Sequence, residues 1–266
     1  MIKDRWERRI ARAEQMAAIY PVSAELLTFY AVLLRAQRSV HTGLRSRTDW
    51  EPCGVLERDL PVVTPLLGSL VDAVMSAGPE PLADEARSLL GLGGSFAGYV
   101  NQMLLEYWQA PSDRAFFAKA SLQPYAVLLA SLGRPPMDRH LPRADNRCPF
   151  CGGVPQLAIM QDPQAHADGG GRRLVCSLCE TTWPFRRILC PDCGEEDEVK
   201  LGYFHSPDYD HVRVQACETC RRYLKSVDLS RLGTAVPVVD EVAAAPLDGW
   251  ALEHGYTKIE LNLVGL

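Results

Sequence analysis

No stretch of this 266-residue chain approaches the roughly 18 uninterrupted apolar residues that a membrane-spanning helix needs. Its start, MIKDRWERRIARAE, is charged throughout and lacks the apolar core of a secretory signal. Both absences point to a cytoplasmic protein without membrane insertion. A basic surplus is missing too: the formal net charge of -5 disfavours a nucleic-acid partner, because phosphate-binding surfaces are built from Lys and Arg. There is no HExxH pair and no phosphate-binding loop ending in Gly-Lys-Ser/Thr; the run DGGGRR at 168–173 lacks the lysine and reads as a hairpin tip. With no Ser/His/Asp arrangement in view either, no catalytic residue is assigned, and an enzyme is the least supported class.

What is present is ordinary globular composition, 47% apolar and 23% charged, on a length that suits two medium domains. From Asp4 to about Leu132, stretches such as AELLTFYAVLLRAQ and SFAGYVNQMLLEYWQ space apolar residues three and four apart, which predicts an all-helical N-terminal domain over 1–132 with five to six helices. Breaks are expected at Tyr20-Pro21, around Pro52 to Gly54, at Gly78 to Pro81 and at Gly91 to Gly94, with Ser112 or Asp113 as N-cap of the last helix. Residues 133–147, GRPPMDRHLPRADNR, lose the periodicity and read as a linker. Beyond it, short alternating stretches such as RLVCSLC and HVRVQAC suggest small β-hairpins. The last segment, 229–266, returns to apolar character, with a helix expected at PLDGWALEHGY and a strand-like tail KIELNLVGL, together packing on a neighbouring module.

Eight of the nine cysteines fall after the linker, as four CxxC pairs: Cys148 and Cys151, Cys176 and Cys179, Cys190 and Cys193, Cys217 and Cys220. In a reducing compartment such clusters serve metal or redox chemistry rather than disulfides. The first two pairs are separated by 24 residues and the last two by 23, whereas only ten lie between the second and the third. The economical pairing is therefore first with second and third with fourth, giving two four-thiolate sites in modules spanning 148–188 and 189–228. Two intervening residues let each pair turn around one ion, with both sulfurs converging at about 2.3 Å. CPFCG and CPDCG supply Gly152 and Gly194 for the positive φ that follows such a turn, whereas CSLCE and CETCR put Glu180 and Arg221 there, predicting strain or a different exit.

Paired knuckles joined by hairpins are the layout of rubredoxin-like and zinc-ribbon modules. Two in tandem behind a helical domain, followed by LDGWALEHGYTKIELNLVGL, resemble the FdhE family of formate dehydrogenase accessory proteins. The resemblance implies a cytoplasmic, chaperone-like protein that binds the catalytic subunit of formate dehydrogenase during maturation and does not itself oxidise formate. It also implies that all eight knuckle cysteines are metal ligands, with iron the family-level expectation and zinc the common substitute. Thiolate chemistry alone does not choose between the two metals.

Two other readings fit the same cysteines. A zinc-ribbon regulator that binds nucleic acid is disfavoured by charge: residues 147–226 hold ten Lys plus Arg against eleven Asp plus Glu, and each loaded four-thiolate site adds about two negative charges. A rubredoxin-like electron carrier or thiol redox protein needs iron or a lone reactive dithiol. Elsewhere the bland assignments are preferred. Cys53 reads as a small buried hydrophobe, and His205 and His211 as exposed loop residues. Trp183, Phe185 and Tyr223 read as cover over the thiolates, and Phe29, Tyr30, Tyr99 and Trp108 as core.

Overall fold

The computed structural model describes residues 4–112, 115–142, 144–161 and 171–266. The helical part has seven α-helices: α1 Arg5–Ile19, α2 Ala24–Arg45, α3 Leu56–Val63, α4 Gly68–Ala77, α5 Glu80–Leu90, α6 Phe96–Gln109 and α7 Phe116–Ser131. The expected breaks occur. One more separates α3 from α4, where Thr64–Leu66 tightens into a 3-10 turn around Pro65, so the segment anticipated as one helix is two. At the start of α7 the N-cap position is Ala115 rather than Ser112, and Asp113 lies outside the described residues.

Helix α7 is buried on every side from Phe117 to Leu129, as befits the central element of a helical layer. Around it, α1 turns Trp6, Ile10, Ala13 and Met16 inward, and α2 buries Phe29, Tyr30, Leu33 and Leu34. Trp108 is likewise core, but Tyr99 is 54% exposed, a correction to the expectation that it joins the apolar stripe of α6.

The strands are β1 Pro155–Met160, β2 Arg172–Cys176, β3 Thr182–Pro184, β4 Leu201–His205, β5 Val212–Cys217, β6 Arg222–Asp228 and β7 Thr257–Lys258. The connection between β1 and β2, including the DGGG of the expected hairpin tip, falls largely outside the described residues. Each half forms its own antiparallel set, β1-β2-β3 and β4-β5-β6. The halves are nevertheless not separate beads: β1 pairs in parallel with β6, Leu157 opposite Lys225 through Met160 opposite Asp228, giving one sheet of order β3-β2-β1-β6-β5-β4, with β7 also on β6. Joining the modules this way satisfies the backbone of two strands that would otherwise be open edges.

The segment after β6 contains two helices, α8 Pro237–Ala243 and α9 Ala245–Glu253, the second at the place expected. Helix α8 sits between α1 and α2 on one side and β1 and β6 on the other, with Val239 and Val242 fully buried. The predicted strand-like tail is corrected: only Thr257–Lys258 is extended in the sheet. The Asn262 side chain accepts hydrogen bonds from the backbone of Val264 (3.0 Å) and Leu266 (3.1 Å), a local turn that competes with a ladder.

The expected linker is tied to the helical part at Met137 and Asp138. Asp138 accepts from Trp108 Nε1 (2.8 Å) and from the Leu56 amide at the start of α3 (2.7 Å), and the Met137 amide donates to the Gly54 carbonyl.

Candidate metal centres

Among the described residues the eight knuckle cysteines gather into two groups, Cys148, Cys151, Cys176, Cys179 and Cys190, Cys193, Cys217, Cys220, with the four sulfurs of each within 4.8 Å of one another. The pairing is first with second and third with fourth, as the spacing anticipates. In the first group, Cys148 and Cys179 sulfurs lie 3.6 Å apart, and those of Cys151 and Cys176 3.4 Å. The second group shows 3.7 Å for Cys190 to Cys220 and 3.7 Å for Cys193 to Cys217. A tetrahedron with metal–sulfur bonds of about 2.3 Å has edges of about 3.8 Å, so both groups suit one tetrahedral ion.

Local sequence explains the convergence. Gly152 and Gly194 adopt φ of 73° and 76° after the first knuckles, and Glu180 and Arg221 adopt 58° and 57° after the second, so all four turns exit through the left-handed region. Backbone amides point back at sulfur, Leu178 to Cys176 and Asp192 to Cys190, both 3.4 Å, which favours the thiolate form. A side chain at Gly153 would meet the Cys176 sulfur at 3.0 Å, so glycine there is a space requirement of the site itself.

The left-handed non-glycine residues are held by long-range partners. Glu180 forms a paired contact with Arg9 on α1, with Arg9 Nη1 2.7 Å from Glu180 Oε1, inside the protein. Burial pushes the Glu180 carboxyl up, but Arg9 and Arg5 outweigh it and hold it below the usual range. Arg221 lies over the Tyr256 ring at 4.1 Å and donates to the His254 carbonyl.

The two centres differ in shelter. All four cysteines of the first group are buried, and Trp183 and Phe185 pack into the same apolar cluster. In the second group Cys193 is exposed and Cys220 half-buried, and Tyr223 belongs to a separate cluster with its hydroxyl on Asp248 (2.8 Å). Of the three aromatics expected as cover, Trp183 and Phe185 therefore pack with the first centre and Tyr223 does not pack with the second. Burial raises the Cys176 thiol and lifts Cys190 to about 11, while hydrogen bonds from Cys148 and its neighbours hold Cys151 low. Four such thiols ionise together only when a cation offsets their mutual repulsion, which is the chemistry of a metal site.

Other expected residues are placed differently. Cys53 is exposed rather than buried, its sulfur 3.7 Å from the Val55 carbonyl. His211 is buried at 7% exposure and bonds Asp240 through Nε2 (2.8 Å), whereas His205 is exposed as anticipated. The same Asp240 receives Arg12 of α1, so this histidine belongs to a helix-to-sheet tie and to neither metal centre.

Sequence reasoning did not find the arginines around the centres. Arg139 donates to the Cys151 carbonyl (3.0 Å) and lies over Trp108. Arg172, 2% exposed and without a carboxylate partner among the described residues, holds the carbonyls of Arg186, Arg187 and Leu189. Burial lowers its pKa to about 10, and the thiol of Cys190 is close enough to offset part of that. Their spacing from the cysteines carries no local signal.

The family models for the FdhE central domain and the FdhE C-terminal domain match residues 147–187 and 188–264. "Protein FdhE homolog" from Aquifex aeolicus (strain VF5) is 35% identical over 150 residues, 56% of this chain and 51% of the relative, so the chain matches about half of that protein's length. "Protein FdhE homolog" from Haemophilus influenzae (strain PittEE) is 27% identical over 98% of this chain and 88% of its own. The crystal structure of the FdhE protein from Pseudomonas aeruginosa superposes with a TM-score of 0.66 at 22% identity, covering 98% of this chain and 96% of that one, and so shares the fold. A helical part followed by a sheet carrying two four-cysteine centres, with the FdhE central and C-terminal domain models matched in order over residues 147–264, is what this chain shares with the FdhE proteins.

Proposed function

We propose that this protein is an accessory factor for formate dehydrogenase that binds the enzyme's catalytic subunit in the cytoplasm during maturation, without catalysing a reaction itself. The observation that carries the reading is the pair of four-thiol centres on adjoining FdhE domains, built into one sheet rather than into flexible fingers. Cys148, Cys151, Cys176 and Cys179 would hold one ion and Cys190, Cys193, Cys217 and Cys220 the other, each supplying a rigid cross-link to a small sheet. Iron is favoured by family and zinc fits the same donors. The domain limits proposed are 1–132, 133–147, 148–188, 189–228 and 229–266.

The test is a pull-down of the catalytic subunit with the full chain, alongside formate oxidation in a deletion strain. Capture of the subunit and loss of activity on deletion are expected; no capture together with normal activity would falsify the reading. Metal analysis and the visible spectrum of anaerobically purified protein decide the ion. A red protein with iron keeps electron transfer open, and a colourless one with zinc closes it.

A further inference from the structure

The two ends of the sheet are finished differently. At one end β3 has only three residues and finishes on Pro184, a short edge that cannot template much pairing. At the other, β4 runs five residues, LGYFH, with regular register against β5 and neither lysine, proline nor bulge to blunt it. None of its residues is buried, whereas five of the six in β5 are. Natural sheets guard such an edge unless something is meant to join it.

A groove lies on each side of β4. On one face Arg187, Ile188, Arg213 and Gln215 help to enclose about 340 Å³, and on the other Val22, Leu247 and Trp250 border about 690 Å³; Tyr203 borders both. The second groove is apolar and aromatic: Val22 is 80% exposed and the Phe204 ring lies 4.5 Å from Trp250. The first is lined by two arginines and two carboxylates, and its arginines are left without a carboxylate partner among the described residues. Arg213 Nε and the Oε1 of the nine-tenths-buried Gln215 have no hydrogen-bond partner, and neither Arg187 nor Arg213 has an ion pair among the described residues. Glu198 and Asp228 border the same groove yet pair with neither arginine, Asp228 being engaged by Ser230 and Arg231.

Successive side chains of an added strand point to opposite faces of the sheet. A peptide lying along β4 would therefore present one set of side chains to Arg187 and Arg213 and the alternate set to Phe204 and Trp250. We propose that the β4 edge is a strand-addition site for an extended segment of a protein partner in which acidic and large apolar residues alternate. This names the surface through which the partner binding proposed above is made, and it rests on that reading.

The experiment uses the full chain and two synthetic peptides, one alternating glutamate with valine and one alternating lysine with valine, followed by fluorescence anisotropy and amide exchange. The acidic peptide should bind and slow exchange at residues 201–205. The lysine peptide, and the double variant R187Q/R213Q with the acidic peptide, should each bind at least about tenfold more weakly, about 1.4 kcal/mol. Equal binding of both peptides, no binding of either, or protection elsewhere overturns the proposal. So does a concentration-dependent dimer protected at 201–205, which would put a second copy on the edge. In a parallel pull-down, equal capture of the catalytic subunit by wild type and R187Q/R213Q refutes this surface while leaving the partner reading intact. Capture by neither refutes the partner reading, and the peptide result still decides β4.

Discussion

Glu180 and Arg221 hold a backbone conformation that costs a non-glycine residue about 1 kcal/mol or more, and each recovers it through a contact that glycine could not make. Glu180 ties the second knuckle to α1 through Arg9, both side chains 7% exposed. Replacing Arg9 with Met would leave the buried carboxylate only the longer contact to the more exposed Arg5 (3.6 Å), and a loss of about 3 kcal/mol is expected from denaturant unfolding. The pH dependence follows in sign. The folded Glu180 pKa is depressed, so its contribution is fully present above the unfolded value, about 4.3, and is lost as pH falls through the folded one. Unfolding midpoints of wild type and E180Q should therefore differ most above about pH 4.3 and converge below it; a constant gap would show that the pair does not supply the stability. The need for positive φ could be read from where glycine stands in CPFCG and CPDCG. The partner that lets glutamate take that place, 171 residues away, could not.

The sheet and the C-terminal segment form the next level of organisation. Lys225 on β6 and Lys258 on β7 meet Glu241 on α8 and Asp248 on α9, all essentially without solvent contact. Gln156 of β1 adds a bond to Glu241 (3.0 Å). Four buried charges are tolerated because each has an opposite neighbour, and removing one strands another. Lys258→Met should cost about 3–5 kcal/mol in a denaturant titration, whereas a change below about 1 kcal/mol would mean that the cluster is dispensable. Cysteine replacement tests the modules: Cys190→Ser should bring early proteolytic cuts within 189–228 while α1 to α7 persist as a resistant fragment. If the helical fragment became equally labile, the proposed division at 133–147 would be wrong. The hairpins were legible from alternation and turn residues. The parallel β1 to β6 join was not, because pairing between strands more than 60 residues apart leaves no periodic trace in either.

For the whole molecule, the unequal shelter of the two centres has a kinetic consequence. Exposed Cys193 and half-buried Cys220 would give a chelator a path to an ion held by the second centre, while one held by the first would be enclosed by Trp183, Phe185 and the helical layer. Metal release to a chromogenic chelator should be biphasic, with the second centre emptying first, and C193S should remove the fast phase. A single phase for both ions would show that static burial does not control access. No single helix among the described residues is long and apolar enough to cross a membrane; the apolar helices α2, α6 and α7 spend that character on the core.

The eight cysteines with their spacing, the helical period before them and the alternation around them were sufficient by themselves to specify two four-thiol modules behind a helical layer, because each is a local pattern with one geometric solution. Tertiary structure alone decided that the modules share a sheet, that α8 wedges between sheet and helices, that His211 binds Asp240 and not a metal centre, and that β4 is left open. Each of these depends on which distant surfaces meet, and desolvation and charge pairing between remote residues settle that only once the chain is folded.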